Sequence, residues 1–171
     1  MTIHGTDPFA TPEPDRSPVR RLRGRLVAPV TLWTAPGPAG LTVSSMLVAD
    51  GEPGRVLGLV DDESELWEAI SAAGRFAVCP LGTGQRQLAD RFAGLAPAPG
   101  GRFVQDRWVQ TGYGPVPAGD GVSWAGCRLA GSRRCGWAML VEGTIAELTV
   151  GPAAGVDPLS YYRGRYRELR Q

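Results

Sequence analysis

The sequence predicts an α+β fold built on an antiparallel sheet, either rolled into a barrel or stacked as a sandwich. Three observations carry this. Six or more short apolar segments rich in Val, Leu and Thr are separated by turn residues, only two longer segments have helical periodicity, and the order lacks the βαβ rhythm of a parallel sheet. The 24 glycines and 15 prolines among 171 residues cut the chain into short elements, and the length is that of one domain.

Residues 1–18 are rich in Pro and small polar side chains and read as a flexible arm ahead of a domain over 19–171. Val19 to Arg25 is basic, with Val19, Leu22 and Leu26 at helical spacing. It reads as a short solvated turn of helix, with Arg20, Arg21 and Arg23 as minor candidates for phosphate contact. Val27–Thr34 and Leu41–Ala49 read as strands joined through the Pro/Gly turn 35–40, and Arg55–Val60 as a third strand after a turn at 51–54. Asp61–Ala73 reads as a helix, with Asp62 as N-cap and Glu65 completing a capping box. Its apolar stripe is Leu66, Ile70 and Ala73, and Gly74 ends it. Arg75–Leu81 is a strand interrupted near its end by Pro80. Gly84–Gly94 is a second helix with Leu88 and Phe92 on one face. After a Pro/Gly loop at 95–104, Val122–Leu129 and Trp137–Ile145 read as strands, the latter extending to Val150, and Asp157–Tyr166 closes the chain with a helical turn.

Composition excludes several kinds of chemistry. A net charge of +1, from 18 basic and 17 acidic residues, gives no general drive toward nucleic acid or an anionic membrane. No apolar run is long enough to cross a bilayer. The N-terminus lacks a secretory pattern, and the three cysteines (Cys79, Cys127 and Cys135) suit reduced thiols of the cytoplasm, packed as small apolar residues. The one histidine, His4, falls in the arm, so a Ser-His-Asp or Cys-His mechanism has no base and a His-rich metal site has no ligands. An enzyme with this inventory leaves the hard chemistry to a bound cofactor.

The order of short motifs adds a specific likeness. Pro29-Val30-Thr31 precedes Gly40-Leu41-Thr42-Val43-Ser44-Ser45-Met46, then Gly74-Arg75-Phe76-Ala77-Val78, then Leu88-Ala89-Asp90-Arg91-Phe92-Ala93, Arg102-Phe103, Trp108, Cys127, Gly143 and Asp157-Pro158-Leu159-Ser160-Tyr161-Tyr162-Arg163-Gly164-Arg165-Tyr166. Each fragment is short, but their colinear order across 26–167 resembles the flavin reductase-like, FMN-binding split-barrel family.

The resemblance implies a six-stranded antiparallel split β-barrel with short flanking helices, a homodimer, and a flavin near the subunit interface. It implies FMN, with FAD also compatible, and NADH or NADPH as co-substrate. Hydride would pass from nicotinamide C4 to flavin N5, with no side chain needed as acid or base, and the reduced flavin would supply a partner monooxygenase. Thr42, Val43, Ser44 and Ser45 would lie along the flavin ring, Ser44 and Ser45 being otherwise ordinary small sheet residues. Ser64, at a helix start, would meet the flavin phosphate. Arg91 would be a second phosphate contact or else a solvated helix-surface charge.

Three departures from the family pattern stand out. Its S-x-T becomes Ser64-Glu65-Leu66 beside the acidic Asp61, Asp62 and Glu63; an asparagine becomes Cys79; and a histidine of a G-D-H strand start becomes Trp137, which reads as core. These keep open the alternative of a non-catalytic flavin-binding split barrel without a working nicotinamide site.

Overall fold

The computed structural model describes residues 17–152 and 157–169. Most of the N-terminal arm, with His4, lies outside the described residues. The first element is helix α1 (Pro18–Arg23), capped by Ser17, whose Oγ accepts from the Arg20 N–H. Thereafter come β1 (Ala28–Pro29), β2 (Thr31–Ala35), β3 (Ala39–Val43), β4 (Met46–Ala49), β5 (Arg55–Asp61), α2 (Glu65–Ala73) and β6 (Arg75–Pro80). A 3-10 turn at Thr83–Gln85 leads into α3 (Arg86–Phe92). The chain continues through β7 (Trp108–Thr111), β8 (Gly114–Pro117), β9 (Trp124–Cys135), β10 (Ala138–Thr149), β11 (Leu159–Tyr162) and β12 (Arg165–Glu168).

The mixed α+β class holds: a large antiparallel sheet carries few helices. The sheet has seven strands, in the order β3-β2-β6-β9-β10-β5-β4, where six were predicted. The extra strand arises because the predicted strand Leu41–Ala49 is divided at Ser44–Ser45. Its first half pairs with β2 and its second with β5. The two ends of the sheet order are therefore consecutive in the chain, and the Leu59 N–H donates to the Ser45 carbonyl at 2.9 Å across the junction.

Val27–Thr34 is divided as well. β1 leaves the main sheet to pair with β11, and β2 begins after Val30. Pro29 has no N–H for a ladder, which suits it to this exit. The predicted helical turn near the C-terminus is instead a hairpin, β11–β12, reversed at Arg163 and Gly164, whose φ values are 51° and 76°. Alternating Leu159, Tyr161 and Tyr166 give it an apolar face, and that face wins over local helical spacing. The β7–β8 hairpin was not predicted, because prolines at 115 and 117 mask its pattern.

Two cores lie on either side of β2 and β6, whose side chains alternate between them. Trp33, Phe76 and Val78 join Val43, Val56, Val60, Val141 and the α2 residues Leu66 and Ile70. Leu32, Ala77 and Cys79 join Leu81, Val116, Leu159 and the α3 residues Leu88, Ala89 and Phe92. This double burial explains why both strands read as nearly continuous apolar runs. Trp33 stacks on Phe76 with centroids 4.9 Å apart, and a Cβ on Gly58 would stand 2.5 Å from the Trp33 ring, so only glycine lets β5 pass there. No helix among the described residues is long and apolar enough to cross a membrane.

Candidate functional site

β3 ends the sheet order, so its outer edge pairs with no strand among the described residues. Period-two alternation puts Leu41 and Val43 into the inner core and turns Gly40 and Thr42 toward α3. Val43 is buried, and its carbonyl accepts from Thr31 Oγ1 at 2.5 Å. Thr42 Oγ1 donates to the Ala89 carbonyl of α3 at 2.7 Å. Ser44 and Ser45 are half-buried at the junction with β4, and their hydroxyls make no hydrogen bond among the described residues.

A cleft of about 410 Å³ opens beside this strand. It is lined by Pro38 and Gly40 of the β2–β3 region, Glu65 at the start of α2, and Ala98, Gly101, Arg102 and Phe103 of the following loop. Its size is within the range of small-molecule sites. The loop is fixed from behind. Trp108 Nε1 donates to the Phe103 carbonyl at 2.8 Å, and the Phe103 ring lies 4.9 Å from Phe92 and 4.8 Å from Trp108. Gly40 also belongs to this wall, since a Cβ on it would lie 2.7 Å from the Phe92 ring. Gly100 and Gly101 take positive φ values of 80° and 116°, which lets the loop reverse before Arg102. Arg102 Nη1 donates to the Gly40 carbonyl at 3.4 Å.

Ser64 sits at the start of α2 as predicted, but as its N-cap. Its Oγ accepts from the Trp67 N–H at 3.2 Å and donates to the Asp61 carbonyl at 2.6 Å. Asp62, predicted as the cap, instead pairs with Arg134 of β9. A long cation reaching over from the neighbouring hairpin captures Asp62, and the helix starts two residues later. Asp61 Oδ1 accepts from the Glu63 N–H at 3.0 Å, so two of the four acidic residues here have local partners.

Arg91 is not a solvated helix-surface charge. Its side chain is 8% exposed and forms an ion pair with Asp106, with Nη1 donating to Gln105 Oε1 at 3.2 Å. Arg91 lines a second, smaller cleft between α3 and the β7–β8 hairpin, away from Gly40 and Glu65. The structure thus brings Gly40, the first turn of α2 and Arg102 together and holds Arg91 elsewhere. Arg102 stood in the motif order but was not among the predicted site residues. Its signal was an arginine between two turn glycines and a phenylalanine.

Trp137 is not core. It is 95% exposed in the two-residue turn Gly136–Trp137 that joins β9 to β10. Ala138 pairs with Asp61, so this turn stands next to the segment leading into α2. Cys79 and Cys127 are buried, as predicted, and burial pushes each thiol up to about 12.

Comparison with known proteins identifies the family. Residues 23–170 match the family model described as flavin reductase like domain. The chain is 35% identical over 163 residues to the NADH-dependent FMN reductase AsuE2 of Streptomyces nodosus subsp. asukaensis, covering 92% of this chain and 87% of that protein. It is 30% identical over 129 residues to HsaB of Mycobacterium tuberculosis, the reductase subunit of a flavin-dependent monooxygenase, covering 75% of this chain and 67% of HsaB. Among solved structures it resembles the NADH:FAD oxidoreductase SgcE6 of Streptomyces globisporus with a TM-score of 0.80 and 26% identity, covering 94% of this chain and 96% of that one. The chain belongs to the flavin reductase like domain family.

Proposed function

We propose that the protein is an NADH-using flavin reductase that reduces FMN, with FAD as a second acceptable flavin, and hands the product to a partner monooxygenase. The observation that carries this reading is the open edge of β3, which has the Ser44 and Ser45 hydroxyls at one end and, beside Gly40, the cleft that Arg102 lines. The relatives' names support the chemistry: an NADH-dependent FMN reductase and a monooxygenase reductase subunit align over most of the domain.

The donor set fits a flavin. Ser44 and Ser45 can hydrogen-bond a ring's polar edge without giving up another partner, and the free edge of β3 adds backbone groups. Val43 and Thr42 fix the strand from its two faces. Four residue steps of strand take Gly40 to Ser44, roughly 13 Å, which leaves length for a polyol tail running from the ring to the cleft. Ser64 acts by holding the first turn of α2 open toward that cleft. Arg91 acts from behind α3. When bound, the flavin supplies the hydride acceptor for the nicotinamide, so this chain's residues need only bind, align and exclude water.

The sheet closed through Ser44–Ser45 is read as the split barrel, its six members being β2, β5, β6, β9, β10 and the bent strand 39–49. The outward side chains Leu47, Leu57, Leu59 and Leu140 leave an apolar face on β4, β5 and β10, which suits a homodimer. Three unpaired thiols fit a reducing cytoplasm.

The test is NADH oxidation by purified protein with FMN supplied. Turnover that needs both protein and flavin supports the reading. Saturable flavin binding without NADH oxidation would instead establish the non-catalytic flavin carrier, which the exposed Trp137 and the acidic approach to α2 favour.

A further inference from the structure

We propose that α1 and the β11–β12 hairpin together form a docking face for a protein partner whose surface carries carboxylates interleaved with apolar side chains. The inference goes beyond the flavin reading and stands or falls independently of it.

Charge is unevenly placed along this chain. Residues 17–29 and 157–169 hold seven arginines against two carboxylates, whereas residues 30–152 hold nine arginines against twelve carboxylates. Arg20, Arg21, Arg23 and Arg25 lie on α1 and its exit. Arg163, Arg165 and Arg167 lie on the hairpin, and all seven are exposed. The two elements make one surface: the Arg163 N–H donates to the Gly24 carbonyl at 3.1 Å, and β1, which follows α1, pairs with β11. The ion pairs among the described residues lie elsewhere, at Arg55, Arg91 and Arg134. None of the seven arginines lines either cleft. A carboxylate approaching this face has no internal partner to displace.

The hairpin tip adds a second observation. Arg163 has a φ of 51°, in the left-handed region that glycine or asparagine fills at lower cost in a two-residue turn. A cation is kept at the tip in spite of that cost, with its guanidinium 5.7 Å above the Tyr162 ring.

Apolar side chains decide which polyanion fits. Val19, Leu22, Leu26 and Val27 are 60–75% exposed beside the α1 arginines. Arginine mixed with bare apolar side chains suits a protein interface. A nucleic acid is held through its phosphates and gives four aliphatic side chains nothing to cover. A membrane surface calls for a longer amphipathic helix than α1, whose six residues span roughly 9 Å. Both of those partners also extend past the face and meet the acid-rich remainder of the chain, whereas an acidic patch on a protein can match the face alone.

The experiment measures binding of the full chain to a fluorescently labelled glutamate–tyrosine copolymer, to polyglutamate, to single-stranded DNA and to phosphatidylserine/phosphatidylcholine vesicles, at low and physiological salt. The variants are R21E/R23E/R165E on the face, R75E/R128E/R133E on exposed arginines elsewhere, and L22A/L26A, with thermal unfolding to confirm that each is folded. Saturable binding of the copolymer is expected, about tenfold or more weaker in the face variant and changed less than about twofold in the charge-matched control. L22A/L26A is expected to weaken the copolymer several-fold and leave polyglutamate unchanged. Equal losses in the two arginine variants, an L22A/L26A variant that binds the copolymer as wild type does, or no binding of either polypeptide would overturn the proposal. Tighter binding of DNA or vesicles than of the copolymer would overturn it in favour of a phosphate-bearing partner. Binding seen in D7N/E13Q/D15N but not in wild type would make the chain's own N-terminal segment the occupant and overturn it as well.

Discussion

Thr42 Oγ1 donates to the carbonyl of Ala89 across 2.7 Å, tying the outer strand of the sheet to α3. The same carbonyl also accepts from the Ala93 N–H at 2.9 Å, so it stays paired when the hydroxyl is lost. Thr42→Val is therefore expected to cost only about 0.5–1 kcal/mol of stability by denaturant unfolding. It should leave FMN affinity unchanged, whereas Ser44→Ala and Ser45→Ala weaken it. A large loss of FMN affinity in the Thr42 variant would return that hydroxyl to the flavin.

The start of α2 separates two carboxyl-or-hydroxyl candidates cleanly. Ser64→Ala removes the hydrogen bond to the Trp67 N–H and should cost about 1 kcal/mol. Asp62→Ala breaks a pair whose arginine is largely exposed and should cost well under that. Chemical denaturation of the two variants side by side checks the order, and the reverse order would make Asp62 the true cap.

Removing Asp106 strands a buried cation. The Arg91 side chain is 8% exposed against 33% for Asp106, and Arg91 Nε already has no partner. Asp106→Ala is expected to lose about 3 kcal/mol, and the double variant with Arg91→Met to regain part of it, because the uncompensated charge is the costly element. A thermal shift no larger than that of a surface variant would show that Arg91 finds solvent.

Alkaline titration should reveal the buried thiols. Burial raises Cys79 and Cys127 to about 12, above the ordinary thiol value, so the folded state favours their neutral form. Their contribution to stability is full below the ordinary thiol range and is lost as pH rises through it toward about 12. Thermal unfolding across that window should show the decline, and Cys79→Ala should flatten it. A thiol reagent at neutral pH should label Cys135, which is only half-buried, and leave the other two until the protein unfolds.

Most of the sheet was legible because β2 and β6 are apolar on both faces and β5 and α2 carry clear periodicities. What escaped depends on partners distant in sequence. Asp62 has every local mark of a cap, yet Arg134, far along the chain, takes it. Trp137 reads as core by residue type, but a two-residue reversal after Cys135 leaves its ring nowhere to pack. The C-terminal Tyr-rich segment reads as helix until its aromatic face meets α3, where Tyr166 donates to Asp90 Oδ1 at 2.7 Å. At the site, the strand 41–45 and the start of α2 were found by motif order. Arg102 stood in the same motif order but was given no role, since a loop arginine becomes notable only once Gly40 and Glu65 stand beside it.

The junction at Ser44–Ser45 joins the first and last members of the sheet order. A guest seated on it would sit on the seam that keeps the sheet from unrolling. Occupancy there should therefore be felt far from the pocket: amide exchange should slow in β9 and β10 as well as in β3, rising with free ligand concentration as a whole-molecule gain in stability. A chain arranged this way is sturdiest while loaded and becomes easier to open each time its cargo departs.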